Sequence, residues 1–395
     1  MRILSVTAQK PHSTGSGTYL TEIVRSLDRA GHEQAVVAGI YEEDLVHFPQ
    51  GVEFYPVIFD RCFPIVGMSD VMPYPSQLYS RMNQADVGEF EVRCIPVVDR
   101  AIKEFKPDII FCHHLFLLTA MIRRDYPYIK TYGLCHGSDL RQFKQSQQLR
   151  DFLRKYIPRL DRIYALHNEQ KQMIEKLYGI PADDIRIAGS GYNSEVFNTK
   201  LRKPRRSSRI TISYAGKLSK AKGIEEFMEA CELLEADESF PEFRVLLAGG
   251  EGEESVKQAI DKPYVTYFGM LNQKELSEML QRTDVFVLPS YYEGLPLVLM
   301  EAMACGAVPV CTDLPGIREW IESTIDGSTA IFVERPEMWS VDRPMEHAKP
   351  IFACNLAAAI KNALDISCAL GRGELAMPDI EAASWDSCAS RIFTE

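Results

Sequence analysis

A chain of 395 residues, 46% hydrophobic and 25% charged, is long enough for two domains that each bury a core of their own. Its formal charge of −11 argues against nucleic acid as a partner, because a phosphate backbone is bound by basic faces. No uninterrupted apolar run nears the ~18 residues of a membrane span, and Met1-Arg-Ile-Leu-Ser-Val-Thr7 reads as a strand instead of a signal peptide, so cytoplasmic residence is the simplest expectation.

In the first half, apolar strands are expected at Arg2–Thr7, Glu33–Ala38, Asp108–Cys112, Lys130–Cys135, Arg162–His167 and Asp184–Gly189. Between the first two, Gly15-Ser-Gly17 opens a helix with apolar Leu20, Ile23, Val24 and Leu27. A glycine-rich turn there offers backbone N–H groups to anionic oxygens, although a simple tight turn explains it equally, and Leu20 stands where a dinucleotide fingerprint needs its third glycine. Residues 55–95 are unusual in carrying Pro56, Pro64, Pro73, Pro75 and many aromatics. His113 and His114 follow a strand end; adjacent histidines without a carboxylate at helical spacing make a poor metal site, so they read as loop residues. Cys135-His136-Gly-Ser-Asp139 follows the next strand, and the His136 imidazole could donate a hydrogen bond to a ligand's hydroxyl or phosphate oxygen, or serve only as a structural hydrogen bonder.

The polar, basic stretch 198–208 is the linker candidate, placing an N-terminal domain at 1–197 and a C-terminal domain at 209–379. Strands follow near Arg209–Ala215, Phe243–Ala248, Val265–Phe268, Asp284–Pro289 and Ala307–Cys311. The alternation of strand and helix patterns gives an α/β architecture of two Rossmann-like domains. Gly216-Lys217-Leu218 closes the first of these strands and Lys222-Gly223 precedes the next helix, so two ammonium groups could converge on a diphosphate. Lys220 is equally eligible, and a solvated basic turn is the plainer account. Residues 334–350 have no assigned role, and Ser384-Trp385-Asp386 to Phe393 looks like a last amphipathic helix. The ten cysteines show no CxxC or metal-ligand spacing; Cys112, Cys135, Cys305 and Cys311 sit in apolar segments and are expected as reduced packing residues.

The richest stretch is Glu293-Gly294-Leu295-Pro296 to Glu301, running on into Ala-Met-Ala-Cys-Gly306. Pro296 suits the first position of a helix reaching about Cys305, whose N–H groups and positive dipole end can hold phosphate oxygens. Glu293 then stands at the helix mouth and Glu301 roughly 7 Å along its axis. Such a pair can accept hydrogen bonds from hydroxyls on either side of a diphosphate, as in a nucleotide sugar.

The stretch resembles the E-x7-E signature of retaining glycosyltransferases of the GT-B fold, family 4. The resemblance implies two Rossmann-like domains facing across a cleft, with the final helix (about 380–395) crossing back to the N-terminal domain. It implies that Glu293 faces the donor sugar with Gly294, Leu295 and Pro296 beside it, that Glu301 faces the ribose, and that Lys217 and Lys222, with Gly216, clamp the donor phosphates. Gly269, Met270 and Leu271 match the family's nucleobase turn, Gly15 and Gly17 the loop near donor phosphate and acceptor, and His136 the histidine that contacts the transferred sugar or its phosphate. Gly191 to Phe197 is similar to the family's N-G-V-D-x-x-x-F segment. The expected activity is transfer, with retention and without metal or resident cofactor, from a nucleoside diphosphate sugar, by family precedent a UDP-sugar. The acceptor would be a sugar, a lipid-linked glycan or a small molecule. No carboxylate pair at the ~5 Å of a retaining glycosidase is evident, which favours front-face substitution. A nucleotide-sugar epimerase of the same shape and a non-catalytic nucleotide-sugar-binding subunit are the alternatives. Peripheral membrane contact through Lys200–Arg209 is a further expectation, with a solvated linker as its plainer counterpart.

Overall fold

The computed structural model describes residues 1–69, 72–202, 209–250 and 253–394, in two compact units: Met1–Ser190 with Trp385–Glu395, and Gly191–Ser384. The chain thus changes unit between Ser190 and Gly191. Residues 191–202 are tied into the second unit: the Tyr192 N–H donates to Ala383 O (3.1 Å), Ser277 Oγ to Val196 O (2.7 Å), and the Arg202 guanidinium to Thr283 O (2.9 Å) and Cys305 O (3.0 Å). Of the expected linker and basic stretch, residues 203–208 lie outside the described residues.

The first unit is built on a seven-stranded sheet in the order β3-β2-β1-β6-β7-β8-β9. The strands are β1 (Arg2–Val6), β2 (Glu33–Tyr41), β3 (Glu53–Phe59), β6 (Ile109–His113), β7 (Lys130–Leu134), β8 (Arg162–Ala165) and β9 (Ile185–Ile187), all parallel. A two-residue pairing of β4 (Val66–Gly67) with β5 (Gln77–Leu78) lies in the proline-rich segment. Helices α1 (Gly15–Arg29), α2 (Gln84–Phe105), α3 (Leu117–Asp125), α4 (Ser138–Gln145), α5 (Arg150–Tyr156) and α6 (Asn168–Tyr178) complete the crossovers. Strand β3 was not expected, because Pro56 interrupts it. It is an edge strand, where a residue without an N–H is tolerated. The chain order reverses between β1 and β6, the topological switch point at which open parallel sheets form their crevice.

The second unit carries a six-stranded parallel sheet, order β12-β11-β10-β13-β14-β15. Its strands are β10 (Ile210–Ala215), β11 (Phe243–Ala248), β12 (Val265–Tyr267), β13 (Val285–Leu288), β14 (Val308–Asp313) and β15 (Ile331–Glu334). Around them run α7 (Ile224–Glu235), α8 (Glu254–Ile260), α9 (Gln273–Leu280), α10 (Leu297–Ala304), α11 (Ile317–Thr324) and α12 (Lys349–Gly371). The short edge strand β15 was also unexpected. Residues 334–350 leave it and form the antiparallel hairpin β16 (Met338–Ser340) and β17 (Arg343–Pro344). Here the switch point lies between β10 and β13.

Helix α12 qualifies the expectation that nothing in the chain resembles a membrane span. The helical stretch Glu346–Gly371 is long enough to cross a membrane and contains an 18-residue window of mean hydropathy 1.3, because alanines and cysteines keep it apolar around Lys361 and Asp365. Its face of Phe352, Leu356 and Ile360 is buried, in a helix that packs on α7, β14 and β15 as a core element.

The last helix, α13 (Trp385–Phe393), belongs to the first unit. Tyr164 Oη donates to Ile392 O (2.7 Å), Arg391 Nε to Ala188 O (2.8 Å), and Arg29 pairs with Asp386 (2.7 Å). Buried Trp385, Cys388 and Ile392 supply the apolar contact.

Candidate functional site

In the second unit the expected donor residues lie beyond the carboxyl ends of β10, β12 and β13. Gly216 follows β10 with φ 155°, Lys217 is exposed, and Tyr214 Oη donates to the Lys217 carbonyl (2.9 Å), fixing the turn from below. Burial pushes the Tyr214 phenol far up, and the Glu293 charge adds to it, so the hydroxyl remains a donor. The chain then tightens into a short 3₁₀ turn, Lys220–Lys222, that leaves through Gly223 at φ 66°. A Cβ on Gly223 would lie 2.2 Å from Pro289 O, so the loops after β10 and β13 touch backbone to backbone only because this residue is glycine. That contact delivers Lys222 Nζ to Glu293 Oε1 at 2.6 Å and to Tyr292 O at 3.3 Å. Lys220 turns instead to Glu225, 3.5 Å away. Lys217 has no carboxylate partner among the described residues.

Glu293 and Gly294 lead through buried Leu295 to Pro296, which is the N-cap of α10 with ψ 114° and not its first helical residue. The helix thus starts one residue later than expected and ends at Ala304. No side chain caps its first turn; the Leu299 N–H donates to Pro296 O (3.2 Å), and the N–H groups of Leu297 and Val298 are left for an anion. Glu301 sits inside the helix and is 8% exposed. Beyond β12, Gly269 has φ 70° and accepts from the Gly249 N–H (2.8 Å), while Met270 is 76% exposed and Leu271 half-buried.

In the first unit, Gly15 and Gly17 lie within the first turn of α1, where a preceding loop was expected. Thr14 caps the helix by accepting from the Gly17 N–H (3.1 Å). A Cβ on Gly17 would meet Lys10 O at 2.9 Å, whereas Gly15 faces open space. His136 follows β7, and Asp139, fully buried, ties its loop to the one after β6. The carboxylate accepts from the Leu115 N–H (2.9 Å), the His136 N–H (3.1 Å) and the Cys135 thiol (3.2 Å).

His113 and His114 are not the plain loop residues expected. His113 ends β6, its Nδ1 lies 3.1 Å from His136 Nε2, and the two rings are nearly parallel, 12° apart. His114 has φ 74° and its ring centroid is 4.8 Å from that of His136. Tyr19, from α1, meets His136 edge-on at 5.2 Å and is backed by Trp385 at 4.8 Å and by Cys388 Sγ, 2.9 Å from its hydroxyl. Burial lowers the basicity of all three imidazoles, bringing His113 to about 3 and His136 well below the usual range, where His113 and His114 repel its charge further. Among the described residues, no group of three His, Cys, Asp or Glu is placed to hold a metal ion.

With this geometry in place, comparison with known proteins decides the family. A model described as Glycosyltransferase Family 4 matches residues 13–196, and one described as Glycosyl transferases group 1 matches residues 197–340. The chain belongs to the family 4, group 1 glycosyltransferases. The amylovoran biosynthesis glycosyltransferase AmsK of Erwinia amylovora is 31% identical over 215 residues, 50% of this chain and 50% of that one. An uncharacterised glycosyltransferase of Methanocaldococcus jannaschii is 24% identical over 372 residues, 87% of this chain and 88% of its own. The chain spans half or less of the first curated relatives it matches, 50%, 27% and 43% of their lengths. Anabaena HepE, solved in complex with UDP and glucose, shares the fold with a TM-score of 0.60 at 14% identity, covering 99% of this chain and 98% of that one. As in other GT-B glycosyltransferases, each half of the chain is a Rossmann-like unit.

Some residues that shape these sites carry only a weak signal in the sequence. Gly249-Gly250 closes a strand, and a Cβ on Gly249 would lie 1.7 Å from Gly216 O, so the approach of the ends of β10 and β11 requires glycine there. Tyr267 and Phe268, 38% and 47% exposed, flank the Gly269 turn as aromatic surface. Their signal was simply aromatic residues at the end of a strand. Tyr19 and Asp139 act through folding, and no spacing rule joins them to His136 beyond the short Cys135–Asp139 segment.

Proposed function

We propose that the protein transfers a glycosyl group, with retention of configuration, from a nucleoside diphosphate sugar to an acceptor hydroxyl in glycan or glycolipid assembly. The observation that carries this reading is the Lys222–Glu293 pair at the switch point between β10 and β13, beside the uncapped start of α10. A cation for phosphate and a carboxylate for sugar hydroxyls stand side by side where an open α/β sheet takes its ligand. UDP is the proposed nucleotide; HepE, a neighbour in fold, was solved with UDP and glucose. A polysaccharide or lipid-linked acceptor is in keeping with AmsK, named for amylovoran biosynthesis.

In this scheme Lys217 and Lys222 and the α10 N–H groups stabilise the charge that develops on the departing diphosphate, so a divalent ion has no part in it. The bond from the anomeric carbon to the diphosphate oxygen breaks while the acceptor oxygen bonds to the same face. The acceptor proton passes to the departing phosphate oxygen. Glu293 orients the sugar hydroxyls and Glu301 those of the ribose. His136 donates a hydrogen bond to a sugar hydroxyl or phosphate oxygen of the substrate.

The test is thermal unfolding with UDP, GDP, ADP and their common sugar conjugates. A ligand that binds only the folded state at about 100 times its Kd adds about 2.7 kcal/mol, enough to raise the midpoint by a few degrees. Stabilisation by the uridine series, followed by an NMR assignment of the product anomer, supports the reading. No shift with any nucleotide in folded protein, or an inverted anomer, refutes it.

A further inference from the structure

We infer that His113 is a positioning residue: by donating from Nδ1 to His136 Nε2 it fixes the tautomer of His136, so that His136 presents an Nδ1–H donor to the substrate. The inference rests on the proposed function for what His136 contacts, but the tautomer itself does not. The two nitrogens are 3.1 Å apart and share one proton, since burial and mutual repulsion keep both rings uncharged.

Two arrangements are open. If His136 donates from Nε2, His113 must carry its own proton on Nε2, an atom sealed from solvent with no hydrogen-bond partner. If His113 donates, that same atom is a bare lone pair. Orphaned buried N–H groups are rarer than under-satisfied acceptors, so the second arrangement is the one the fold favours. His136 then carries its remaining proton on Nδ1. This nitrogen is not among the sealed, unpartnered ring atoms of the cluster, which are His113 Nε2 and both nitrogens of His114. It is therefore the ring atom left for a ligand.

The frame around the pair is rigid. Asp139 holds the His136 backbone N–H, Tyr19 packs edge-on against the ring, and Trp385 and Cys388 of α13 hold Tyr19. The hydrogen bond at one ring nitrogen decides what the other presents, and an uncharged imidazole held this way donates without titrating near neutral pH.

The test uses full-length protein with 15N-labelled histidine. Imidazole spectra at pH 7.5 should show His136 protonated on Nδ1, and His113→Leu, which takes away the donor to Nε2, should release the ring to a mixture of Nδ1–H and Nε2–H forms and lower kcat by up to about 10²-fold, the usual cost of one lost donor. His113→Asn, whose amide nitrogen can stand where Nδ1 stood, should restore the Nδ1–H tautomer and most of the rate, which a merely structural role would not explain. If His113→Leu does not fold, the wild-type and His113→Asn spectra decide. His136 protonated on Nε2 in the wild type, or a His113→Leu variant with wild-type tautomer and rate, overturns the inference. Full turnover in His136→Ala would instead overturn the role given to His136 under the proposed function, while the spectra still judge His113.

Discussion

Lys222 Nζ and Glu293 Oε1 stand 2.6 Å apart, joining the loop after β10 to the loop after β13. The side chains are 26% and 18% exposed, so screening holds the pair to about 1 kcal/mol or less of stability. Under the proposed function each group holds the other's place until a phosphate takes the lysine and sugar hydroxyls take the carboxylate. Glu293→Gln should accordingly melt within a few degrees of wild type and lose turnover by about 10²-fold, with nucleotide binding largely kept. Wild-type turnover in that variant, with donor and acceptor verified, would remove Glu293 from the mechanism.

Gly249 and Gly250 give a matched pair of tests for the floor of the proposed nucleotide site. A Cβ on Gly249 would sit 1.7 Å from Gly216 O, on a backbone at φ 143°, whereas one on Gly250 meets only Met270 Sδ at 3.6 Å, an ordinary contact. Gly249→Ala must push the ends of β10 and β11 apart and carry Gly216 and Lys217 with them. It should cost about 2–4 kcal/mol of stability and abolish nucleotide-induced stabilisation, while Gly250→Ala stays near wild type in both. Chemical unfolding with and without UDP reads the two effects separately. Equal behaviour of the two variants would show that the approach of these strand ends is not required.

The thiols make a quantitative check on packing. None of the ten cysteines is in a disulfide; Cys62 and Cys354 are exposed, Cys368 is half-buried and the other seven are buried. Burial pushes the Cys305 thiol up to about 11 and Cys112 to about 12, so neither forms the thiolate that reacts. Native protein should therefore react with a thiol-specific chromogenic reagent at two sites quickly and a third more slowly, and at all ten only in denaturant. More than three rapid equivalents would mean that one of the apolar cores opens readily.

What could be read from the sequence follows from how local each signal is. Strands β10, β11 and β13 were legible because they are buried apolar runs bounded by glycine or proline, and the glutamate motif because turn, cap and helix are contiguous. The edge strands β3 and β15 were not, since Pro56 and partial exposure remove the pattern that burial on both faces writes into central strands. His113 has no carboxylate at helical spacing to mark it as a ligand, and its partner His136 lies on the neighbouring strand's loop, 23 positions on. Register between β6 and β7, which sets His113 opposite Leu134, brings them together, and no spacing rule encodes that. Gly249 shows the same limit: the atom it must avoid belongs to Gly216, across the sheet.

The histidine cluster sets a pH dependence whose direction is fixed. His113 falls from its ordinary 6.5 to about 3, and His114 and His136 are lowered as well, all chiefly by burial; the Asp139 charge opposes this at His114 only in part. Tyr19 and Cys388, the other titratable groups against the cluster, are pushed upward by burial and stay protonated across this range. Between pH 6.5 and 3 the unfolded chain binds protons that the folded unit refuses. Stability is thus complete above about pH 6.5 and falls on acidification, by as much as about 1.4 kcal/mol per pH unit for each histidine held neutral. Because two units need not unfold together, the local measurement is hydrogen exchange of peptides covering β6 and β7, which should lose protection steadily from pH 7 to pH 5 once intrinsic rates are corrected. His113→Asn, which cannot titrate, should flatten that loss. Protection in the wild type that is flat over the same interval would mean that the three imidazoles are not buried as a neutral group.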